Sequence, residues 1–578
     1  MPLRNLIGNG GVRVTRRSIL RASAAGLASV LWSWRGSLSA QAAPRRVIDV
    51  HCHVFNGRDI PARSFIRTVV FEHFPELVPV ERAARGFSDK AKEGLADAMI
   101  ALVLTPFTPT VAREKRCIED GKCSLLWSVF SRSGARTEVA RSLSRPAGDE
   151  EELLADFERL KAGKPRVKYF IEDEWKGSID NIDAFLAEAD RRPRPRSLDE
   201  LAPPESAAAR SETARSLAHN EFEYGPLLRW AGLLKSFRYE IVEAYAQLYD
   251  PARYRLALLA PAIVDFTLWL PGPDKVEGLA DQSALMDLIS RRGRGQGPLM
   301  HGYVGFDPLR QVRATGEDKP LKIARRAVEN QGFLGVKLYP PMGFRVSGNA
   351  GLDTFPSTVT PEAGFGGRLD AALEELYEWC DSEGVAILAH TSDSQGANEK
   401  FGERADPAYW EAPLRRHPGL RVCLAHFGNF SGPEGSAEDD EMTWEWGIGR
   451  MMSATGAPNL YSDLSYFPHL VGSPNAGALA AGGARLKRWI DAFDPRCERL
   501  MFGTDWSMIA KQSRSVDYVS AFEGLLGSLG LGAKQLDNIF FANAVRYYGL
   551  GAGGAARKRL EAHYRRNGID AGVLAVFD

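Results

Sequence analysis

Several features are scarce in this sequence of 578 residues, and each scarcity excludes a class of protein. There are only 6 cysteines and no CxxC pair, so disulfides are not the main source of stability, and neither a zinc finger nor a thioredoxin site is indicated. Neither sign of charge is in excess, because 73 Lys and Arg residues balance 73 Asp and Glu residues, and the basic residues form no long cluster. We therefore expect no nucleic-acid partner.

Two of the cysteines lie close enough in sequence to pair. Cys117 and Cys123 flank a polar segment that contains Gly121 as a turn residue, and we expect them to close a short disulfide in an oxidising compartment. The other four occur in apolar or helical contexts and are predicted to be buried thiols: Cys52, Cys380, Cys423 and Cys497.

Acidic residues are absent from residues 1–42, which contain six arginines. Arg16 and Arg17 precede an apolar stretch over 22–34, which is shorter than the ~20 residues that span a bilayer. Ala40-Gln41-Ala42 supplies a small-x-small cleavage site. We interpret 1–42 as a twin-arginine-type signal that directs the protein through that export machinery to the periplasm or beyond. An amphipathic tail or an uncleaved anchor is the alternative. Because this route carries folded proteins, often with a cofactor in place, it favours a bound metal or other prosthetic group.

Changing both Arg16 and Arg17 to Lys is expected to leave unprocessed protein in the cytoplasm, because the arginine pair is what marks the segment for export. Cell fractionation and the mass of the product measure this. The single change Arg13→Lys, outside the pair, is the control and should be processed normally. Normal processing of the double variant would contradict the twin-arginine interpretation.

The chain is longer than one hydrophobic core usually supports, about 250 to 300 residues, so a barrel-sized unit with additions is expected. Short apolar runs that end in a polar or ionisable residue alternate with helix-like segments. Continuous apolar runs indicate strands covered on both faces, as in a parallel sheet. The eight runs are 47–51, 256–265, 302–306, 333–338, 385–390, 420–426, 460–464 and 500–505. Eight such units predict an α/β fold, a (β/α)8 barrel (TIM barrel), with its active site at the C-terminal strand ends.

The first two runs are about 200 residues apart, which predicts an insertion after the first strand. Candidate helices in it lie at 88–104, 149–162, 180–190 and 226–249, with an exposed linker at 191–210. The insertion either covers the pocket and sets substrate range or acts as a packing or dimerisation module. The predicted divisions are a signal at 1–42, a barrel at 43–55 and 255–552, a helical insertion at 56–254, and a charged, peripheral tail at 553–578.

Histidines collect at the predicted strand ends. His51 and His53 are two residues apart on the first run, so that both side chains point to one face, while His390 and His426 end the fifth and sixth runs. Asp505 ends the eighth run, where a buried carboxylate requires a partner. Imidazole and carboxylate groups together suit a divalent metal ion, and a carboxylate beside an ion can accept a proton from water. A metal site is therefore predicted at this end of the barrel.

Lys337 ends the fourth run, where a buried ammonium is costly unless it is paired or modified. A carbamate formed with carbon dioxide would make it an anion that bridges two metals, whereas an ordinary ammonium would pair with an acidic side chain or a substrate carboxylate. Six residues in loops after strands are candidate pocket residues: Tyr339, Phe344, Arg345, Trp444, Tyr466 and Trp506.

Several of these segments together resemble the amidohydrolase superfamily, and within it the amidohydrolase-2 group of metal-dependent hydrolases and nonoxidative decarboxylases. The segments that carry the resemblance are Ile48–His53, Gly335–Phe344, Leu388–His390, Leu424–Gly428, Phe502–Asp505 and Asn543–Tyr548. They cover the barrel and not the insertion, so substrate contacts of compact members do not carry over to residues 56–255.

The resemblance implies a first divalent ion held by His51, His53, His390 and Asp505. It implies His426 as a ligand of a second ion or as an acid–base group beside a single ion, and it makes Lys337 the candidate carbamate. Zinc is the expected metal, with manganese and iron as alternatives, and one ion is favoured over two because members of this group often use one.

Hydrolysis of an amide, ester or lactone bond in a small-molecule substrate is the predicted function, with Asp505 as proton shuttle and His426 stabilising the developing oxyanion. Decarboxylation of an aromatic or unsaturated carboxylic acid is the first alternative. A non-catalytic periplasmic binding protein on the same barrel is the second. A homo-oligomer is left open.

Overall fold

A computed structural model describes the chain from residue 43 onward, with gaps. The described residues are 43–72, 89–103, 108–121, 180–184, 187, 225–292, 298–394, 396–398, 400–428, 443–453, 457–471, 476–512 and 514–578. The predicted signal at 1–42, the predicted helix at 149–162, the predicted linker at 191–210 and Cys123 lie outside them.

Short strands with buried side chains form the barrel wall. They are β1 (Arg45–Cys52), β2 (Tyr254–Pro261), β3 (Leu299–Met300), β4 (Tyr303–Gly305), β5 (Gly335–Leu338), β6 (Ala386–His390), β7 (Arg421–Ala425), β8 (Leu460–Asp463) and β9 (Leu500–Met501). The strands pair in chain order, and the pairs β2–β3 and β4 through β9 are parallel. Val50 N donates to Phe502 O at 3.1 Å and Thr504 N donates to His51 O at 3.1 Å, which closes the ring. The predicted barrel is confirmed.

The third position of the barrel holds β3 and β4, separated by His301 and Gly302. Pairing with β2 continues through this break, because His301 N donates to Leu259 O at 3.0 Å. A Cβ atom on Gly302 would collide with the carbonyl oxygen of Pro261, so the close approach of the two backbones requires glycine. The run predicted at 302–306 is therefore the second half of a strand that begins at Leu299.

Helices cover the outside of the barrel or belong to the insertion. They are α1 (Asp89–Val103), α2 (Val111–Glu119), α3 (Gly225–Leu234), α4 (Arg238–Ala246), α5 (Leu279–Arg292), α6 (Pro320–Asn330), α7 (Phe365–Glu383), α8 (Glu411–Arg416), α9 (Trp444–Ser453), α10 (Ala476–Phe493), α11 (Tyr518–Ser528), α12 (Ala533–Asp537), α13 (Asn543–Tyr548) and α14 (Ala555–Arg566). At least one of them follows each barrel position from the second onward. No helix in the described ranges is long and apolar enough to cross a membrane.

Between β1 and β2, the described part of the insertion is helical. Helix α1 matches the segment predicted at 88–104, and residues 180–184 are helical. The helix predicted at 226–249 is two helices, α3 and α4. The helix is interrupted because the backbone of Phe237 is extended (φ −64°, ψ 145°), and Phe237 is the N-cap residue of α4. A π-helix at Phe65–Glu72 follows the first strand and was not predicted.

Buried charges tie the insertion together. Arg238 is 1% exposed, and its Nε and Nη2 donate to the two oxygens of Asp59 at 2.7 Å each. Its Nη1 donates to Glu114 at 3.0 Å, and Glu114 also accepts from Tyr239 N at 3.1 Å. One guanidinium therefore neutralises two buried carboxylates and joins the β1 loop, α2 and α4.

The C-terminal segment is not peripheral, and that prediction was wrong. Helix α14 buries Leu560, His563 and Tyr564, and the last turn buries Leu574 and Phe577. Apart from His563, these side chains belong to the same apolar cluster as strand residues such as Ile48 and Leu388. The segment is charged, but its apolar residues share one helix face, so it packs against the barrel.

The cysteine predictions are consistent with the structure. Cys117 is disulfide-bonded, while its predicted partner Cys123 lies outside the described residues. The other four cysteines are buried and free, as expected: Cys52, Cys380, Cys423 and Cys497.

Candidate metal centre

The residues predicted as ligands meet at the C-terminal ends of the strands. His51 lies on β1, His390 ends β6, and His426 directly follows β7. His53 and Asp505 follow β1 and β9, and Lys337 lies on β5. Parallel strands place all of these positions at one mouth of the barrel, which is why residues up to 454 positions apart in sequence become neighbours.

His51 and His53 present their Nε2 atoms to the centre of the site. His53 Nδ1 lies 2.8 Å from the carbonyl oxygen of Ala262, which only accepts, so Nδ1 carries the proton. His51 Nδ1 lies 3.1 Å from Asp463 Oδ2, which fixes the ring in the same way. Burial lowers the pKa of His51 to about 3, so the ring is neutral at pH 7. His51 Nε2 therefore has the lone pair that a metal ion needs, and the acceptor at Nδ1 of His53 turns its Nε2 toward the same centre.

Asp505 lies between these two imidazoles. Its Oδ1 is 3.2 Å from His53 Nε2 and 3.8 Å from His51 Nε2. Burial raises the pKa of the carboxyl, but the close approach of His53 and the other neighbouring imidazoles lower it, to about 2. Asp505 is thus an ionised carboxylate in a buried position, which suits either a metal ligand or a proton acceptor.

His390 and His426 form the other side of the site. His426 Nε2 lies 3.1 Å from His390 Nδ1, and Ser394 Oγ lies 2.6 Å from His390 Nε2. Ser465 Oγ is 3.0 Å from His426 Nδ1 and 3.0 Å from His51 Nδ1, so it links the two halves. Burial holds the pKa of His390 and of His426 below the usual range, which keeps both rings neutral.

Asp463 belongs to this site and was missed by the sequence analysis. Its Oδ1 accepts from the backbone N of His426 at 3.0 Å and of Ser465 at 3.1 Å, while Oδ2 faces His51. The signal that identified Asp505, a carboxylate at the end of a buried apolar run, is equally present at Asp463 on β8. Its contacts make it the group that orients His51.

Among the described residues, two groups of three ligand-type side chains have donor atoms within 4.8 Å of one another. One is His51, His53 and Asp505, and the other is His51, His426 and Asp463. Nitrogen and carboxylate donors in this combination fit zinc, manganese or iron. His390, the remaining expected ligand, is in neither group, but its Nδ1 lies 3.1 Å from Nε2 of His426 in the second group.

Lys337 is 2% exposed, and its Nζ lies 3.1 Å from His51 Nε2. Burial lowers the pKa of this ammonium to about 8, although the charges of Asp463 and Asp505 oppose that effect. The lysine therefore lies inside the site, next to a ligand-type nitrogen, as the sequence suggested.

A pocket of about 970 Å³, counted with its open mouth, leads to the site. His53, His390, His426 and Asp505 line its base. Its walls are mainly apolar and come from both the barrel loops and the insertion: Phe55, Ile60, Phe65, Val69, Val70, Val264, Phe266, Trp269, Tyr339, Tyr466 and Met508. Two of the predicted pocket residues, Tyr339 and Tyr466, thus line it, whereas Phe344 and Trp506 are buried in the core.

Backbone strain is concentrated at this pocket. Positive φ angles occur at His426 (62°), Tyr466 (56°) and Asp505 (53°), all of which line it. Such angles are costly for residues with a Cβ and persist where the surrounding structure enforces them, commonly at functional sites. The strain supports assigning a function to this mouth of the barrel.

Residues 309–550 match the amidohydrolase family. The match covers the barrel from the loop after β4 to the loop after α13, and therefore includes Lys337, His390, His426 and Asp505 but not His51 or His53. It bears out the predicted resemblance at the family level and supports the prediction of an enzyme, a hydrolase. A search of the curated proteins finds no match to this chain.

The solved structures to which this chain is similar are distant in sequence. A candidate 2-pyrone-4,6-dicarboxylic acid hydrolase from Pseudomonas putida is 17% identical, with 51% of this chain and 82% of that chain covered and a TM-score of 0.31. An uncharacterised TIM-barrel protein from Bordetella bronchiseptica is 16% identical, with 59% of this chain and 90% of that chain covered and a TM-score of 0.33. An amidohydrolase from Burkholderia multivorans with bound zinc is 18% identical, with 50% of this chain and 82% of that chain covered and a TM-score of 0.32.

Proposed function

We propose that this chain is a metal-dependent hydrolase that cleaves an amide, ester or lactone bond in a small molecule. The observation that carries the proposal is the convergence of His51 Nε2 and His53 Nε2 on Asp505 Oδ1 at the base of the pocket. Each imidazole is held by an acceptor at Nδ1, so its Nε2 points to the place where an ion would bind.

His51, His53, His390 and Asp505 would hold the ion, for which zinc is the proposed identity. A divalent ion in such a site lowers the pKa of water and polarises a carbonyl group. The donor set fits this assignment, because neutral imidazoles and an ionised carboxylate are the protonation states that bind metal.

The chain's own residues would then perform the proton transfers. Asp505 accepts a proton from the attacking water and delivers it to the leaving group, which its ionised state allows. The neutral imidazole of His426 lies beside His390 and stabilises charge that develops on the substrate oxygen. Asp463 keeps His51 oriented, and the apolar walls limit access of bulk water.

A single ion is proposed, because a Lys337 ammonium 3.1 Å from His51 Nε2 would repel a second cation. Lys337→Met is therefore expected to retain one equivalent of metal per chain, and bicarbonate should not change reconstitution. Elemental analysis of wild type and variant measures this. Two equivalents in the wild type, with one lost in Lys337→Met and bicarbonate improving recovery, would establish a carbamate bridge instead.

The reaction type is tested with metal-loaded protein and a panel of aryl esters, lactones, N-acyl amino acids and hydroxybenzoates. Release of an acid together with an alcohol or amine supports the proposal. Carbon dioxide release from hydroxybenzoates without hydrolysis would replace it with decarboxylation. Saturable binding of panel members without any turnover would indicate a binding protein.

A further inference from the structure

A second buried lysine lies in the pocket outside the proposed metal ligands. Lys511 ends the helical turn Met508–Lys511 after β9, and only 2% of its surface is exposed. Its Nζ lies 5.6 Å from the ring centre of Trp230 and 5.8 Å from that of Tyr466. Its side chain makes no hydrogen bond or ion pair within the part of the chain that the structure describes.

The faces of these two aromatic rings offset only part of the free energy that is lost when an ammonium is taken out of water. The buried cation Arg238, in contrast, has two acidic partners, Asp59 and Glu114. Burial lowers the pKa of Lys511 to about 8, partly offset by the charge of Asp505, so the side chain is mostly cationic at pH 7. Among the described residues, no carboxylate lies within ion-pair distance of this cation.

Lys511 lines the same pocket as His53 and Asp505. Apart from His390, His426, Ser392 and Ser394, the rest of the lining offers aromatic and aliphatic surface, such as Phe65, Phe266 and Trp269. The lining residues include no other lysine or arginine. One ammonium in an apolar pocket matches a single negative charge on an otherwise apolar molecule. A phosphate would require several donors at once.

We propose that Lys511 binds the carboxylate of the substrate, and that the substrate class is therefore a monocarboxylate with an apolar, largely aromatic body. This inference rests on the proposed function, because it places the carboxylate at Lys511 and the scissile bond at the metal site. Lys511 is then a specificity residue, and the insertion contributes the Trp230 ring near it and part of the pocket lining, such as Ile60 and Phe65.

The test compares 4-phenylbutyrate with its neutral isostere 4-phenylbutyramide by calorimetric titration. Wild type should bind the carboxylate about tenfold or more tightly than the amide, as expected for a charge-assisted hydrogen bond. Lys511→Met should reduce that ratio to about twofold or less, whereas Lys511→Arg should keep most of it. Lys558→Met, which removes an exposed lysine from α14, is the control for net charge and should match wild type.

The titrations are run on metal-loaded and metal-free protein, which separates this inference from the proposed function. Carboxylate preference that persists without metal and disappears in Lys511→Met supports Lys511 as the anion site, even if no hydrolysis is found. If the preference for the carboxylate over the amide is lost when the metal is removed but is retained in Lys511→Met, the carboxylate binds at the metal. That result would overturn the inference.

Thermal unfolding distinguishes a binding role from a structural one. If Lys511 is retained for binding, Lys511→Met removes an uncompensated buried charge and should not lower the unfolding temperature. If the lysine instead serves to join Trp230 of α3 to the loop after β9, the variant should unfold at a lower temperature while keeping the carboxylate preference, and that result would overturn the inference.

Discussion

Asp505→Asn is expected to lower kcat/KM for hydrolysis by about a thousandfold or more. The amide keeps the size of the carboxylate but loses its charge and cannot accept a proton. Because Oδ1 is the atom that both His53 and His51 face, the change also removes the negative charge that the metal site requires. Steady-state kinetics at saturating metal, with the metal content of each sample measured, test this.

The matched control is Asp491→Asn, which makes the same chemical change at an exposed position on α10. It should leave kcat/KM within about twofold of wild type, as surface changes usually do. A metal-loaded Asp505→Asn variant that keeps more than about a tenth of wild-type activity would contradict the proton-transfer role.

Arg238→Ala is expected to lower the free energy of unfolding by about 3–5 kcal/mol. The guanidinium is buried between Asp59 and Glu114, so its removal leaves two carboxylates in an apolar environment without a counter-charge. Urea unfolding followed by circular dichroism measures the loss. The effect is large because desolvated charges are stabilised only by each other.

A triple variant separates charge from packing. Arg238→Met combined with Asp59→Asn and Glu114→Gln removes all three charges and keeps similar volumes, so it should recover a large part of the stability lost in Arg238→Ala. A loss below about 1 kcal/mol in Arg238→Ala, the size expected of an exposed pair, would show that the cluster is not buried in solution.

The barrel, and the meeting of most candidate ligands at its mouth, were predictable because parallel strands leave a local signal. Each buried strand is a continuous apolar run, and a polar residue at its end lies at the catalytic mouth whatever its distance in sequence. His51, His53, His390 and Asp505 could be identified in this way without knowing which strands are neighbours. The same rule applies to Asp463, which was overlooked because no motif drew attention to it.

Other features depend on contacts that the sequence does not encode locally. Lys511 occupies an ordinary polar position in a loop, and its burial results from the packing of α3 against that loop. The C-terminal segment has a charged composition, yet Leu560 and Tyr564 lie four residues apart on one helix face and pack into the barrel. The prediction of a peripheral tail relied on the charged composition of the segment and did not consider the helical spacing of its apolar residues.

Whether the chain is a metal-dependent hydrolase is tested by measuring its metal content and the dependence of turnover on that metal. Wild-type protein is purified, its divalent metals are measured, and activity is followed through chelation and re-addition of zinc, manganese or iron. We expect one equivalent of metal per chain, loss of hydrolysis when the metal is removed, and recovery when it is added back. A His51→Ala, His53→Ala double variant should retain no metal. Full hydrolysis by the metal-free protein, or metal binding that survives the loss of both histidines, would contradict this expectation.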